Sequence, residues 1–252
     1  SISEWANSCE RKENLPSNLF WNIHLFYFIF FIVNKKLKKK LIIFDLDGTL
    51  INSLDEIKYI FNSVITNYKI DKKGTSFYKK NIGNGIEDLL NKCLPSDHSL
   101  DYNKVLSDIR ESYNINVNKY ATVFGGIGKV LDTLAKKNIT ISVITNKPHI
   151  FAVESVKFHF RDYDIDVIGA GDKFKRKPDP ASSLYMLQKH NVNPEEAIFV
   201  GDSTVDIQTA KNAKITSIGV LWGLGTKDQL EEQKPDYIIE NPIDMLSIKG
   251  FY

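Results

Sequence analysis

The sequence has little cysteine, and its histidines follow no spacing typical of a metal site. Cys9 and Cys93 are the only cysteines in 252 residues, and they form neither a CxxC pair nor the dense framework of a small secreted domain. The five histidines contain no HxH or HExxH spacing, which argues against a zinc site. These scarcities favour a reducing compartment, and we expect a cytoplasmic protein.

The sequence also lacks a large net charge. Its 33 Lys and Arg residues nearly balance 31 Asp and Glu residues and leave a formal charge of +2, which gives no indication of a nucleic-acid partner. The hydrophobic fraction of 42% is sufficient to build a sizeable core. Length and composition therefore predict a globular enzyme with one large domain, or with a core domain and a smaller insert.

No apolar run has the length of an ordinary membrane span. A strongly apolar stretch, residues 19–33, contains 15 residues, which as a helix would extend about 22 Å against a hydrocarbon core of roughly 30 Å. A basic cluster at residues 35–40 follows it, so a signal anchor with its positive end in the cytoplasm is the alternative. No Met precedes Met186, and we expect residues 1–36 to be an extension and the protein to begin near Leu37.

From residue 41 onward, short apolar and β-branched runs alternate with helical stretches. This alternation is typical of a doubly wound parallel sheet in an α/β protein. The segment from Gly126 to Asn138 carries apolar residues at helical spacing, which gives it one face for burial, and the segment that begins at Ala181 behaves similarly. The predicted strands are residues 41–46, 139–145, 166–170, 197–201, 215–220 and 237–240.

One long segment without a predicted strand interrupts this alternation. Residues 55–121 contain amphipathic helical pieces and no convincing buried strand, so we expect a small helical cap domain inserted after the first strand. Residues 37–54 and 122–252 would then form a Rossmann-like catalytic core. In an open α/β sheet the ligand site lies beyond the carboxyl ends of the strands, so an insert that leaves from that edge would cover the site.

Two carboxylates follow the first predicted strand in the stretch FDLDGTL. A buried carboxylate without a partner is costly, so Asp45 and Asp47 indicate a metal ion or a reacting group nearby. Residues two apart on an extended chain point the same way, and both side chains could therefore face one ligand. Gly48 frees the backbone to turn, so that it and Thr49 can offer N–H groups to an anion. A polar turn that only closes the strand is the alternative.

Three further stretches place polar residues at the ends of predicted strands. Thr145 and Asn146 can hold phosphate oxygens, although Thr145 is also an ordinary strand-end or helix-cap residue. Lys177, fixed by the proline after it, can supply a positive charge, with its two neighbours Lys175 and Arg176 and a solvated role as the alternatives. Asp202 and Asp206 lie on one face of a helix start and have the hard oxygen ligands that Mg²⁺ prefers. A helix cap is the alternative for Asp202.

The order and the residues of these stretches resemble the motifs of the haloacid dehalogenase superfamily, and within it those of the phosphoglycolate phosphatases with a helical cap. The resemblance runs from about Lys40 to the C-terminus through FDLDGTL, IGNGIEDLL, VITNKP, KPDP, FVGDSTVDIQTAKNA and PDYIIENPIDML. It implies an Mg²⁺-dependent phosphomonoester hydrolase that acts through an aspartyl-phosphate. The implied roles are Asp45 as nucleophile, Asp47 as general acid and base, Thr145 and Lys177 as phosphate-positioning groups, and Asp45, Asp47, Asp202 and Asp206 as the metal set.

The resemblance leaves the substrate open within this class. It implies a small phosphorylated metabolite, with 2-phosphoglycolate first and Gly83, Asn84 and Gly85 of the cap as binding residues. A pyrophosphatase, a broad sugar-phosphate phosphatase and a phosphomutase are the alternatives, and a membrane-anchored, catalytically silent ligand-binding protein is another. One departure concerns Lys214, which stands where relatives often have glycine and would adopt a left-handed conformation if the helix ends there.

Overall fold

The central feature of the computed structural model, which describes residues 39–171 and 173–248, is a six-stranded parallel sheet. The predicted α/β fold class is confirmed. The sheet order is β5–β4–β1–β6–β7–β8, and every pairing in it is parallel. The strands are β1 Leu41–Phe44, β4 Thr140–Pro148, β5 Ile165–Ala170, β6 Ala197–Gly201, β7 Thr216–Val220 and β8 Tyr237–Ile239.

Helices cover this sheet on both faces, as the alternating pattern predicts. The helices are α1 Leu54–Ile65, α2 Thr75–Asn81, α3 Ile86–Cys93, α4 Tyr102–Asn116, α5 Ile127–Lys136, α6 His149–Phe160, α7 Ala181–Lys189, α8 Thr204–Asn212 and α9 Lys227–Glu232. In the fully buried strand β1, Ile42 and Phe44 join the cluster that packs α5 and α6, whereas Leu41 and Ile43 join the cluster that packs α7 and α8.

The helices α1 to α4 follow the first strand and have an apolar cluster largely of their own. Phe61, Tyr78, Leu90 and Tyr113 are among its buried members. A two-stranded antiparallel ribbon, β2 Ile51–Asn52 paired with β3 Thr122–Val123, brackets this helical stretch in the chain. The assignment of residues 55–121 to a separate cap domain stays a prediction.

The order of the sheet strands explains where a ligand site would form. Counted along the sheet strands alone, the order is 3-2-1-4-5-6, so the direction of winding reverses at β1 between its neighbours β4 and β6. Ligands of open α/β sheets bind at such a reversal, beyond the carboxyl ends of the strands. The residues that follow β1, β4 and β6 therefore lie in the expected position for a functional site.

The structure tests one of two predictions about helices. Lys214, just beyond α8, has a φ of 58°, so this lysine does adopt the left-handed conformation expected of it. The apolar residues 19–33, considered above for a membrane anchor, lie outside the described residues. Among residues 39–171 and 173–248, none of the helices has both the length and the apolar character needed to cross a membrane.

Candidate active site

Three buried carboxylates and one lysine meet beyond the ends of the central strands. Asp45 follows β1, while Asp202 and Asp206 follow β6, and one carboxylate oxygen of each lies within 4.8 Å of the others. The Lys177 ammonium donates to Oδ1 of Asp45 and to Oδ1 of Asp206, both at 2.6 Å. Three of the four stretches predicted to converge on one edge of the sheet therefore supply a single charged cluster.

The carboxylates of this cluster outnumber its cation, and the pKa values of Asp45 and Asp202 are raised. Burial raises the pKa of Asp45 to about 8, with Lys177 opposing the rise and the two other aspartates adding to it. Burial and Asp206 raise the pKa of Asp202 to about 6. Burial alone would lower the pKa of Lys177, but Asp206 and Asp45 raise it above its ordinary value. Buried hard oxygen donors with surplus negative charge fit a divalent metal ion.

Glycines and hydrogen bonds fix the orientation of Asp202. Its Oδ1 accepts from the Thr49 hydroxyl at 3.1 Å, and its Oδ2 accepts from the backbone N–H of Leu224 at 2.7 Å. A Cβ on Gly48 or on Gly223 would lie 2.3 Å from the nearest atom of this side chain, so neither position has room for a larger residue. The backbone turns on both sides of Asp202 thus hold its carboxylate against the cluster.

Asp206 is held by the start of its own helix. Its Oδ2 accepts from the Ser203 backbone N–H at 3.0 Å and from the Ser203 hydroxyl at 2.6 Å. A capping box of this kind satisfies the first orphan donors of a helix. Its other oxygen remains directed at Lys177, so Asp206 links the helix start to the cluster.

Asp47 lies beside the cluster and not within it. Its carboxylate accepts from the Lys147 ammonium at 3.1 and 3.4 Å, and its side chain keeps 12% exposure. The carboxylate group that fits a metal ion contains Asp45 and the two later aspartates, without the Asp47 side chain. The role of Asp47 as a metal ligand stays a prediction.

The end of β4 and the loop at residues 83–85 meet around Asn146. The Asn146 amide donates to the carbonyl oxygens of Gly83 at 3.0 Å and Lys177 at 3.2 Å, and its own oxygen accepts from the Lys177 N–H at 2.9 Å. The Thr145 hydroxyl accepts from the backbone N–H of Lys147 at 3.2 Å. Asn146 therefore ties together the ends of two predicted stretches and the loop between α2 and α3.

Two cavities open onto Asp45 and Asp47. The smaller, of about 40 Å³, is lined by Gly83, Gly85, Thr145, Asn146, Lys147, Tyr113 and the apolar side chains Ile57, Ile82, Ile86 and Leu89. The larger, of about 490 Å³, is a cleft whose walls include Lys177, Asp202, Asn84 and the lysines Lys79, Lys80 and Lys92. The predicted site residues from the core and from the helical stretch thus border the same space.

Two buried residues of this region escaped the sequence reasoning. Lys147 is 5% exposed and pairs with Asp47, and Glu56 of α1 is fully buried with one oxygen 3.9 Å from the Lys147 ammonium. Burial raises the pKa of Glu56, while Lys147 opposes the rise. The two-residue spacing after Thr145 in VITNKP is a signal for Lys147, because side chains alternate along a strand. Glu56 carries no such signal, since it lies in the first turn of an amphipathic helix.

The order of the sheet strands and the carboxylate cluster beyond their ends fit an enzyme of the phosphatase class. The chain belongs to the haloacid dehalogenase-like hydrolase family, whose model matches residues 42–220. This membership confirms the resemblance seen in the motifs.

Curated proteins and a solved structure agree with this assignment. The chain is 29% identical to a phosphoglycolate phosphatase of Vibrio vulnificus strain YJ016, over 83% of the chain and 95% of that protein. It is also 29% identical to a phosphoglycolate phosphatase of Mannheimia succiniciproducens, over 83% of the chain and 97% of that protein. A crystal structure described as "a predicted phosphoglycolate phosphatase from haemophilus somnus 129pt" has a TM-score of 0.76 and 26% identity, and covers 83% of this chain and 97% of that one.

Proposed function

We propose that this protein is an Mg²⁺-dependent phosphomonoester hydrolase that forms an aspartyl-phosphate on Asp45 and acts on 2-phosphoglycolate. The observation that carries the proposal is the position of Asp45. Its buried carboxylate lies between an ammonium at 2.6 Å and two further buried aspartates, and it borders both cavities. A carboxylate nucleophile divides the hydrolysis of a phosphomonoester into two displacements.

In the first displacement, an Asp45 oxygen forms a bond to phosphorus, and the bond between phosphorus and the ester oxygen breaks. Asp47, two residues away on the cavity wall, gives a proton to the departing alkoxide. In the second, a water molecule attacks the phosphorus, Asp47 accepts the proton, and inorganic phosphate leaves while the Asp45 carboxylate is regenerated. Thr145 and Lys177 hold the phosphate oxygens. The backbone N–H groups of Gly48 and Thr49, which the sequence suggested for this task, instead donate to the carbonyl oxygens of Ile51 and Leu46.

A divalent cation belongs to this proposal. Asp45, Asp202 and Asp206 would hold it, with Asp47 as the additional predicted ligand. When bound, the cation supplies positive charge that offsets the repulsion between the carboxylate nucleophile and the phosphate dianion. The raised pKa values of Asp45 and Asp202 support this assignment, because burial and the neighbouring aspartates disfavour the charged carboxylates, and a bound cation would favour them.

The substrate assignment depends on the relatives and on the small cavity. The two curated relatives above are named phosphoglycolate phosphatases. A cavity of about 40 Å³ next to Asp45 leaves space for only a small group beyond the phosphate. We propose that residues 55–121 act as a cap over this space, with Gly83, Asn84 and Gly85 facing the substrate, and that the enzyme works in the cytoplasm.

A broader phosphatase of small phosphomonoesters is the second candidate. The cleft of about 490 Å³ carries Lys79, Lys80 and Lys92 on its walls, and such a basic opening suits substrates larger than 2-phosphoglycolate. Sugar phosphates belong to this group. A pyrophosphatase would instead cleave a phosphoanhydride, and a phosphomutase would transfer the phosphoryl group from Asp45 to a sugar hydroxyl instead of water.

Phosphate release from a panel of substrates tests the proposal. We expect the purified protein with Mg²⁺ to prefer 2-phosphoglycolate over pyrophosphate and sugar phosphates, and to lose turnover with EDTA. Asp45→Asn removes the nucleophile and should lower kcat by about a thousandfold or more. The exposed Asp71 offers a matched control, because Asp71→Asn makes the same chemical change far from the cavities. Phosphate release that persists in Asp45→Asn would refute the assignment of the nucleophile.

A further inference from the structure

Lys147 supplies a buried positive charge for which the proposed chemistry has no use. Its side chain is 1% exposed, and its ammonium contacts the Asp47 carboxylate at 3.1 Å. Glu56 lies at 3.9 Å and the ring centroid of Tyr113 at 5.5 Å from the same nitrogen. A buried ammonium is costly unless charged and hydrogen-bonding groups compensate it, so its retention here requires a reason.

The small cavity provides space for a ligand beside Lys147. Among the described residues that line this cavity, Lys147 is the sole basic one, and much of the remaining wall is aliphatic. Lys177 lines only the larger cleft and is engaged on two sides by Asp45 and Asp206. A second anionic group of a substrate, placed in the small cavity, would therefore meet the ammonium of Lys147.

We propose that Lys147 determines specificity by binding the carboxylate of a small substrate whose phosphate is attacked by Asp45. The inference rests on the proposed function and extends it, because it defines the substrate class as phosphomonoesters with a carboxylate close to the ester oxygen. Thr145 and Lys147 are two residues apart at the irregular end of β4, so one strand end faces both the phosphate and the carboxylate. Ion pairs are stronger where apolar walls, here Ile57, Ile82, Ile86 and Leu89, reduce the contact with water.

A purely positioning role is the competing explanation. In that case Lys147 would only orient Asp47, and every substrate would depend on it equally, since each reaction needs the same proton transfer. A carboxylate-binding role predicts instead that the dependence on Lys147 follows the carboxylate of the substrate. Paired substrates separate the two explanations.

The test compares 2-phosphoglycolate with 2-hydroxyethyl phosphate, which has similar size and no carboxylate. We expect Lys147→Met to lower kcat/KM for 2-phosphoglycolate by about 10- to 100-fold, mainly through KM, because hydrogen bonds to charged groups are among the strong ones. For 2-hydroxyethyl phosphate we expect a change of about threefold or less. Lys157→Met is the matched control, since Lys157 is exposed on α6, and it should leave both values unchanged. Equal losses on both substrates would overturn the inference.

A measurement on the unmodified protein tests the inference even if the Lys147→Met variant does not fold. Glycolate should inhibit phosphate release competitively, and ethylene glycol at equal concentration should not, because only the former has a carboxylate for Lys147. Equal kcat/KM for the two substrates in the unmodified protein, or equal inhibition by the two alcohols, would overturn the inference and leave the phosphatase assignment intact. Failure of the proposed function itself would look different, since the unmodified protein would then release phosphate from neither ester.

Discussion

At the scale of single residues, the backbone conformation and the surroundings of Gly48 leave no room for a side chain at this position of the site. Its φ is 93°, and an added Cβ would lie 2.3 Å from Oδ2 of Asp202. A Cβ at that position is therefore strained by the backbone conformation and collides with a proposed metal ligand.

We expect Gly48→Ala to displace Asp202 and weaken Mg²⁺ binding. The variant should lose at least about tenfold in kcat and need a higher Mg²⁺ concentration for half-maximal phosphate release, because the carboxylate must move to make room for the methyl group. It should also be destabilised by about 1 kcal/mol or more. Activity against Mg²⁺ concentration and urea unfolding measure these effects.

Gly128 is the matched control for Gly48. It lies within α5, is exposed, and has open space around an added Cβ. Gly128→Ala should leave the Mg²⁺ response unchanged and stabilise the protein by roughly 0.5–1 kcal/mol, because alanine favours a helix over glycine. A Gly48→Ala variant with the Mg²⁺ response of the unmodified protein would mean that Asp202 tolerates the displacement or has no metal role.

The strand-end argument predicted most of the site residues but not all of their contacts. It placed Asp45, Lys177, Asp202 and Asp206 at one edge of the sheet, where the structure brings them together. It assigned Asp47 to the same ligand as Asp45, whereas the Asp47 side chain pairs with Lys147. That pairing depends on how closely the turn after β1 approaches the end of β4, and no local spacing in the sequence specifies it.

At the scale of elements, the buried strands were predictable and the short ones were not. Continuous apolar runs located all six strands of the main sheet, and β6 has its predicted bounds, Ala197–Gly201. The ribbon of β2 and β3 was missed because two residues on each side give no periodicity. β4 continues to Pro148, three residues beyond its predicted end, through a register shift after Ile144 that no sequence pattern indicates.

An ion-pair cluster connects helix α3 with the loop before Lys177. Glu87 accepts from Arg110 of α4 at 2.9 Å and also pairs with Arg176, whose side chain lies against Gly85. This contact holds the start of α3, and with it the loop at residues 83–85, next to the sheet edge. Helix α3 therefore has a fixed position relative to the proposed substrate.

We expect Glu87→Gln to raise the KM for 2-phosphoglycolate about two- to fivefold with little change in kcat. Partly exposed ion pairs contribute up to about 1 kcal/mol, and the variant loses this contribution to the closed arrangement of the loop. The difference should shrink at high salt, because salt screens the pair. Glu111→Gln on the exposed side of α4 is the control, and steady-state kinetics are the measurement. Equal KM values for Glu87→Gln and the unmodified protein at low salt would contradict the expectation.

At the scale of the whole molecule, the chain is nearly neutral, but negative charge is concentrated at the active site. The formal net charge is +2, yet three buried aspartates share one lysine at the centre of the sheet edge. Without a cation, this arrangement favours protonation of Asp45, whose pKa is about 8 because of burial. The stability of the whole protein must then depend on pH through this group and, in the same direction, through Asp202, whose pKa is raised to about 6.

The sign of this dependence follows from the two states of Asp45. An unfolded aspartate has a pKa of roughly 3.9, so between that value and about 8 the folded protein binds the additional proton. The contribution of Asp45 to stability is therefore fully present below about pH 4 and is lost as the pH rises through 8.

Asp45→Asn has no such carboxylate, and in EDTA we expect its Tm to exceed that of the unmodified protein at pH 8.5, with the excess shrinking towards pH 5. Mg²⁺ should reverse the order at pH 8.5, because the cation binds the folded protein and favours the charged carboxylate. Asp71→Asn, which changes an exposed aspartate, should follow the unmodified protein throughout. Melting curves of the three proteins in EDTA test this expectation, and a Tm difference between Asp45→Asn and the unmodified protein that stays constant from pH 5 to 8.5 would place the folded-state pKa of Asp45 below this range.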